Sequence, residues 1–329
     1  MRVPLAGHHH DRAMTRSRCT LLLVSSVVDD LEALIRADLL DRLPPETAGE
    51  LVGMGTADLV IVYLNWRGRF VAPVPRRVHW APELVASTGY STHRDVVNEL
   101  AARLAAGDDV APHLSRDVAV AHTSQPDGSR PRRRRDLDGL VAEWGIHHLH
   151  LSLDLEPDGF VSRTDDLLFV ALQPADAYLI GVFPHGGAWT RRALAETCVR
   201  NWPEAGLFHE VRGVVGLAGG SDEADRPALR AAGVTTLLEI DGRVWVPQGQ
   251  STAGTPLAAA RHAGVLMHVL RELRDRVAVD SQELTTRIRA RGGDPAGRAP
   301  TWEAAAEDGW HGLRESDTGV FVPWVRVQG

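Results

Sequence analysis

The sequence has no lysine: all 36 residues in its Lys-plus-Arg count are arginine. Schiff-base chemistry, pyridoxal-phosphate chemistry and P-loop nucleotide hydrolysis each require a lysine amine, so all three are excluded. Any cationic role in binding or catalysis must fall to Arg, His or backbone N–H groups. Cysteine is almost as scarce, with only Cys19 and Cys198 present. That excludes a disulfide framework and a four-Cys zinc site, and suits a reducing, cytoplasmic location. No apolar run approaches the roughly 18–20 residues needed to span a bilayer, so no membrane is expected as a partner. The polar stretch Met1–Arg18, with His8-His9-His10, lacks the apolar core of a secretory signal and reads as a disordered tail.

What is present suits a soluble globular chain of 329 residues, 44% hydrophobic and carrying a net charge of −7. The negative balance means that the surface as a whole does not attract nucleic acid. The charge is uneven, however. Arg130-Pro131-Arg132-Arg133-Arg134-Arg135 is a dense basic run. It reads either as a solvated linker or as a phosphate-attracting arm.

The expected architecture is α+β, in four stretches. After the tail (1–18) comes a helix-rich N-terminal domain (19–126), then a central α+β domain (127–205) and a C-terminal α+β region (206–329). In the first domain, Cys19–Val28 reads as a short buried strand or the lead into a helix. Leu31, Ile35, Leu39 and Leu43 have helical spacing, ended by Pro44-Pro45. The β-branched run Leu59–Leu64 favours a strand, with a buried helix as the alternative, and Thr92–Ala106 favours a helix. Between them, Asn65–Phe70 and Pro75–Trp80 interleave Arg with aromatics, which can either stack bases and hold phosphates or form a structural loop. His122–Arg135 reads as a linker.

In the centre a short helix, Leu137–Trp144, leads into a strand. Two further β-rich runs, Leu167–Leu172 and Ala177–Phe183, flank the hairpin signal Gln173-Pro174-Ala175-Asp176, giving a small antiparallel sheet. Thr190 can cap a helix bearing Leu194, Cys198 and Trp202. In the C-terminal region Asp241-Gly242 signals a two-residue hairpin turn, and Thr255-Pro256 opens a long helix. The Gly/Ser/Thr loop Gly249–Pro256 can bind an anion or simply cap that helix.

The chemistry concentrates in residues 144–202. In the strand Ile146-His147-His148-Leu149-His150-Leu151, alternation places His148 and His150 on one face and His147 with the leucines on the other. The pair is either a working outer face or two ordinary, partly exposed strand residues. Arg163 and His185 fall near strand ends, where they can join the same face. His titrates near neutral pH and can act as base or acid, while the guanidinium fork of Arg suits phosphate oxygens.

This central region resembles the YafO-type mRNA interferases, small RelE-like bacterial ribonuclease toxins. The residues that carry the likeness are His148-Leu149-His150-Leu151, Ser162-Arg163-Thr164-Asp165-Asp166 with Leu168-Phe169-Val170, and Tyr178-Leu179-Ile180 leading to Pro184-His185. It covers about residues 140–200. The resemblance implies a metal-independent endoribonuclease without a cofactor. In that reading His148 or His150 is the base, His185 the acid and Arg163 the phosphate clamp, while Arg132, Arg133, Arg134, Arg135 and Thr164 help to bind substrate. It implies RNA or the ribosome as partner, and an antitoxin or the chain's own flanking domains as regulators. Two other classes stay open. One is a cupin-like enzyme holding zinc or iron through His148, His150, His185 and Glu156. The other is a binding or regulatory protein without catalysis.

Overall fold

The computed structural model describes residues 11–122, 135–187, 190–219, 223–279, 281–294 and 301–327. These form a mixed α+β structure of eleven α-helices and three small sheets. In chain order the first elements are α1 (Asp11–Arg42), α2 (Pro45–Leu51), α3 (Thr56–Arg67), β1 (Arg77–Trp80), α4 (Pro82–Val85), α5 (Thr88–Thr92) and α6 (Arg94–Ala106). The central elements are α7 (Gly139–Trp144), β2 (Ile146–His150), β3 (Asp166–Leu172), β4 (Asp176–Pro184) and α8 (Arg192–Asn201). There follow β5 (Phe208–Glu210), α9 (Arg226–Ala231), β6 (Leu238–Ile240), β7 (Arg243–Pro247) and α10 (Leu257–Val279). The last are α11 (Ser281–Ala290), β8 (Trp302–Glu307), β9 (Trp310–Glu315) and β10 (Phe321–Val325). Among the described residues no helix is long and apolar enough to cross a membrane.

Contacts divide the chain into two units, one comprising 1–60 with 262–328 and the other 61–261. The first is therefore built from both ends of the chain. Its long helix α1 begins at Asp11, inside the stretch expected as a tail, and it absorbs Cys19–Val28 as helix rather than strand. Leu31, Ile35 and Leu39 are completely buried at the expected four-residue spacing. The helix packs on β8 and β9 of an antiparallel meander ordered β10-β9-β8. The β8–β9 turn is Asp308-Gly309, with both φ angles positive (50° and 76°), as a type I′ hairpin requires.

Leu59–Leu64 lies within α3 and not in a strand. A short apolar run does not distinguish a strand from a buried helix. Here burial decides: Thr56, Leu59, Val60 and Tyr63 are buried at helical spacing, and Asn65 is buried beside them.

The second unit centres on a four-stranded sheet ordered β1-β4-β3-β2. β2, β3 and β4 are antiparallel as expected, while β1 joins β4 in parallel and makes the sheet mixed. Both faces are covered. Ile146, Leu167, Phe169 and Ile180 pack against α7, α8 and the smaller sheet β5-β7-β6. Leu149, Leu168, Val170 and Leu179 pack against α6 and the segment around Val110–Val118. A register shift between Phe169 and Val170 leaves Ile180 as an extra residue in β4, a β-bulge. The expected Asp241-Gly242 turn joins β6 to β7, with φ of 50° and 73°. Helix α8 starts at Arg192 behind Arg191, so Thr190 sits just outside it and is not its cap. The Gly249–Pro256 loop is bonded within itself and to neighbouring segments: Ser251 and Thr255 share a hydrogen bond (2.8 Å), and Thr235 Oγ1 accepts from the Gln250 N–H (3.0 Å). It caps the entry to α10.

In the Arg and aromatic interleaving before β1, Arg69, Arg76 and Trp66 have structural roles. Arg69 Nη1 donates to the carbonyls of Asp117 (2.9 Å) and Arg135 (3.3 Å), and its Nη2 to that of Val120. Arg76 donates to the carbonyls of Gln173 (2.9 Å) and Ala72 (2.9 Å). Trp66 packs on Phe70 at 5.2 Å, and its Nε1 donates to the Val118 carbonyl (2.9 Å). Guanidiniums spent on buried carbonyls are not open to phosphate. Arg69→Met keeps the apolar stem but leaves those acceptors without donors. It is expected to destabilise the protein by about 2–4 kcal/mol, the cost of a few unsatisfied buried carbonyls, measured as a shift of the urea unfolding midpoint at unchanged slope.

Candidate functional site

The strand β2 exists because its alternate positions Ile146 and Leu149 feed opposite cores. The same alternation puts His148 and His150 on the Phe169 side and His147 on the Leu149 side. The His148 ring lies 6.5 Å from that of Phe169, which fixes its face. The face assignment agrees with the sequence pattern, but the expected open outer face does not exist. His147 and His148 are each 8% exposed and His150 4%. Helices and loops cover both sides of the strand.

Buried imidazoles need partners. His148 Nδ1 faces Asp138 Oδ2 at 3.6 Å, an electrostatic contact too long for a hydrogen bond. Asp138 is also the N-cap of α7, accepting from the Leu140 (3.0 Å) and Val141 (3.1 Å) N–H groups. Burial pushes the His147 pKa down to about 4, with the charges of His148 and Arg76 adding to the effect and Asp138 opposing it.

His150 stands at the end of the sheet, where the loop before β3 meets the end of β4. The Thr164 N–H donates to its Nδ1 (3.2 Å). Its carbonyl accepts from Nδ1 of the buried His113 (3.0 Å). Burial, together with the nearby charges of His148, Arg163, His185 and Arg116, lowers the pKa to about 4. The structure thus brings Arg163 and His185 within electrostatic range of His150. His185 follows the last residue of β4, its N–H donating to the Asp165 carbonyl (2.6 Å), and Pro184 pairs with Asp166. Arg163 is exposed and His185 half-buried. The site has two tiers, buried imidazoles beneath and a guanidinium and a histidine at the surface.

The hydrogen bonds refine the expected roles. With Nδ1 accepting, neutral His150 carries its proton on Nε2 and is a donor there, not a base. The Thr164 hydroxyl donates to the Asp166 carbonyl (2.6 Å) and accepts from the Leu151 N–H (3.0 Å), so it fastens backbone rather than substrate. Arg135 is exposed and pairs with Asp117 (2.8 Å). Arg132, Arg133 and Arg134 lie outside the described residues. Glu156 accepts from Arg116 Nη2 (2.6 Å). Among the described residues no three His, Cys, Asp or Glu side chains come together as a metal would require. The set His148, His150, His185 and Glu156 is therefore not gathered as a zinc or iron site.

Sequence reasoning missed three groups here. Asp138 was available as a helix cap ahead of Leu140. His113 and the His93–Asp166 pair (Nε2 to Oδ2, 3.0 Å) carried no local signal, because their partners lie far away in sequence. No protein-family model, curated protein or solved structure matches the chain.

The buried histidines make stability depend on pH with a definite sign. His147 and His150 have folded pKa values near 4, against about 6.5 in the unfolded chain. Between these values the unfolded state binds more protons, so stability is full above about pH 6.5 and declines as pH falls toward 4, by up to about 1.4 kcal/mol per pH unit for each histidine. An NMR titration of the ring protons is expected to show both residues still neutral at pH 5.5. Midpoints near the ordinary histidine value would contradict the burial argument.

Proposed function

We propose that the second unit is a metal-independent endoribonuclease, toxin-like in its chemistry. The observation that carries this reading is the placing of exposed Arg163 and half-buried His185 beside His150 at one end of the sheet. The likeness of residues 140–200 to YafO-type interferases motivates the choice of substrate. In this mechanism the RNA's own 2′-OH attacks the adjacent phosphorus. His148, with Asp138 facing its Nδ1, takes the 2′-OH proton on Nε2. Arg163 neutralises the non-bridging oxygens, and Nε2–H of His150 can donate to one of them. His185 protonates the departing 5′-oxygen. The P–O5′ bond breaks as the P–O2′ bond forms, leaving a 2′,3′-cyclic phosphate and a 5′-hydroxyl. RNA, free or on the ribosome, is the partner, with an antitoxin or the rest of the chain as regulator, in the cytoplasm.

The near-complete burial of His148 and His150 favours a second reading, in which the same end of the sheet binds a phosphate group without turning it over. One assay separates the two. End-labelled single-stranded RNA with chelator present is expected to yield a downstream fragment with a 5′-hydroxyl. His185→Ala and Arg163→Ala should each slow its formation by about 10²-fold or more, as loss of an acid or of phosphate stabilisation does. Replacing Arg132–Arg135 by Ser should weaken binding and flatten its salt dependence. If no cleavage appears on free or ribosome-bound RNA while phosphate still binds and Arg163→Ala abolishes that binding, the non-catalytic reading holds.

A further inference from the structure

β1 covers the outer edge of β4 only from Asp176 to Leu179. Beyond the bulge at Ile180 that edge faces α4, Ser87 and α8, and a cleft of about 260 Å³ opens between them. Its volume equals about nine waters at ~30 Å³ each. That is below the range of ordinary drug-sized pockets and suited to one planar ring system. Phe183 forms a wall, and Gly181 explains how. A Cβ on Gly181 would sit 2.4 Å from Phe183 Cε2, so the bare backbone is what lets the ring fold back over the strand.

The polar lining is uneven in what it has left to offer. Glu196 accepts from Arg192 (2.6 Å) and Arg200 (3.3 Å), and Arg200 also clasps Asp241 through two bonds of 2.9 Å. Glu83 accepts one bond, from Asn201 Nδ2 to Oε2 (2.9 Å), and among the described residues its Oε1 accepts none. The cleft therefore combines an aromatic wall with a carboxylate that has acceptor capacity to spare. A carboxylate pairs with two adjacent N–H donors. Of the four RNA bases only guanine presents such an edge, at N1–H and N2–H. Adenine and cytosine place an acceptor beside their amino group, and uracil flanks its single N–H with carbonyls.

We infer that this cleft is a guanine-binding subsite, with Glu83 reading the N1–H/N2–H edge and Phe183 flanking the ring. His185 follows Phe183 by two residues, about 7 Å along an extended strand, which is close to the distance from a base to its own phosphate. The link to cleavage rests on the ribonuclease reading. The cleft itself does not.

The test uses the purified full chain and free guanosine, which carries no phosphate and so does not depend on Arg163 or His185. Calorimetric or NMR titration should show guanosine binding at least about 10-fold tighter than adenosine or cytidine. Glu83→Gln, which turns a donor toward donors, should remove about that factor, since unpaired polar groups in a site discriminate strongly. Gly181→Ala should also weaken binding while the circular dichroism spectrum stays native, because it drives Phe183 from its place. Equal binding of guanosine and adenosine, no binding, or binding indifferent to Glu83→Gln would each overturn the inference. Cleavage of RNA without guanosine binding would overturn the subsite and leave the ribonuclease reading standing. Guanosine binding with no cleavage of any RNA would do the reverse.

Discussion

The second unit depends on one constraint: its four-stranded sheet is covered on both faces. A strand in that position reads as apolar throughout, yet three of the five residues of β2 are histidines. The constraint determines their state. Without solvent, a charged imidazole costs far more than a neutral one, so His147 and His150 stay neutral, and the Thr164 N–H assigns Nδ1 of His150 as an acceptor. Chemistry that needs a protonated group must then come from the rim, where Arg163 and His185 emerge at the strand ends.

The absence of lysine has a structural counterpart. The positive charges inside this unit are all guanidiniums, and they serve as multi-armed donors to backbone. Arg69 and Arg76 each gather several carbonyls, and Arg226 donates to the Thr190 carbonyl (2.8 Å) while lying 5.8 Å from the Trp144 ring. Arg230 meets the fully buried Glu143 at 2.5 Å and stands 5.0 Å from the same ring. An ammonium point charge could not hold several in-plane acceptors in this way. Glu143 also accepts from the Thr236 N–H (3.2 Å). Such a pair contributes more to specifying one arrangement of α7, α9 and the β6 approach than to net stability.

How much was legible in the sequence follows from how local each signal is. β2 follows from period-two alternation, β3 and β4 from β-rich runs around a hairpin signal, and the Asp241-Gly242 turn from turn chemistry within two residues. α6 is equally local, closed by Gly107 in the left-handed conformation (φ 82°). Leu59–Leu64 was misread because its β-branched composition and its helical burial pointed different ways, and only the partner surface decides between them. The shared face of His148 and His150 was readable. That a second layer covers it was not, because the covering residues come from distant segments. For the same reason Thr164 reads as substrate-binding from the sequence, while in the fold its hydroxyl ties the Leu151 N–H to the Asp166 carbonyl and its N–H holds the His150 ring. The cleft beside Phe183 has no linear signature at all. It arises where β1 stops short of β4.

The first unit carries a consequence for how the chain is made. α1 leaves the ribosome early with Leu31, Ile35 and Leu39 along one stripe, and the strands that bury this stripe, β8 and β9, are encoded at the far end. At about 5–20 residues per second, translating the intervening segment takes on the order of tens of seconds. Residues 61–261 can collapse on their own sheet in that interval, but α1 cannot be completed. Until β8 and β9 are made, the Leu31, Ile35 and Leu39 stripe has no counterpart from them to bury it.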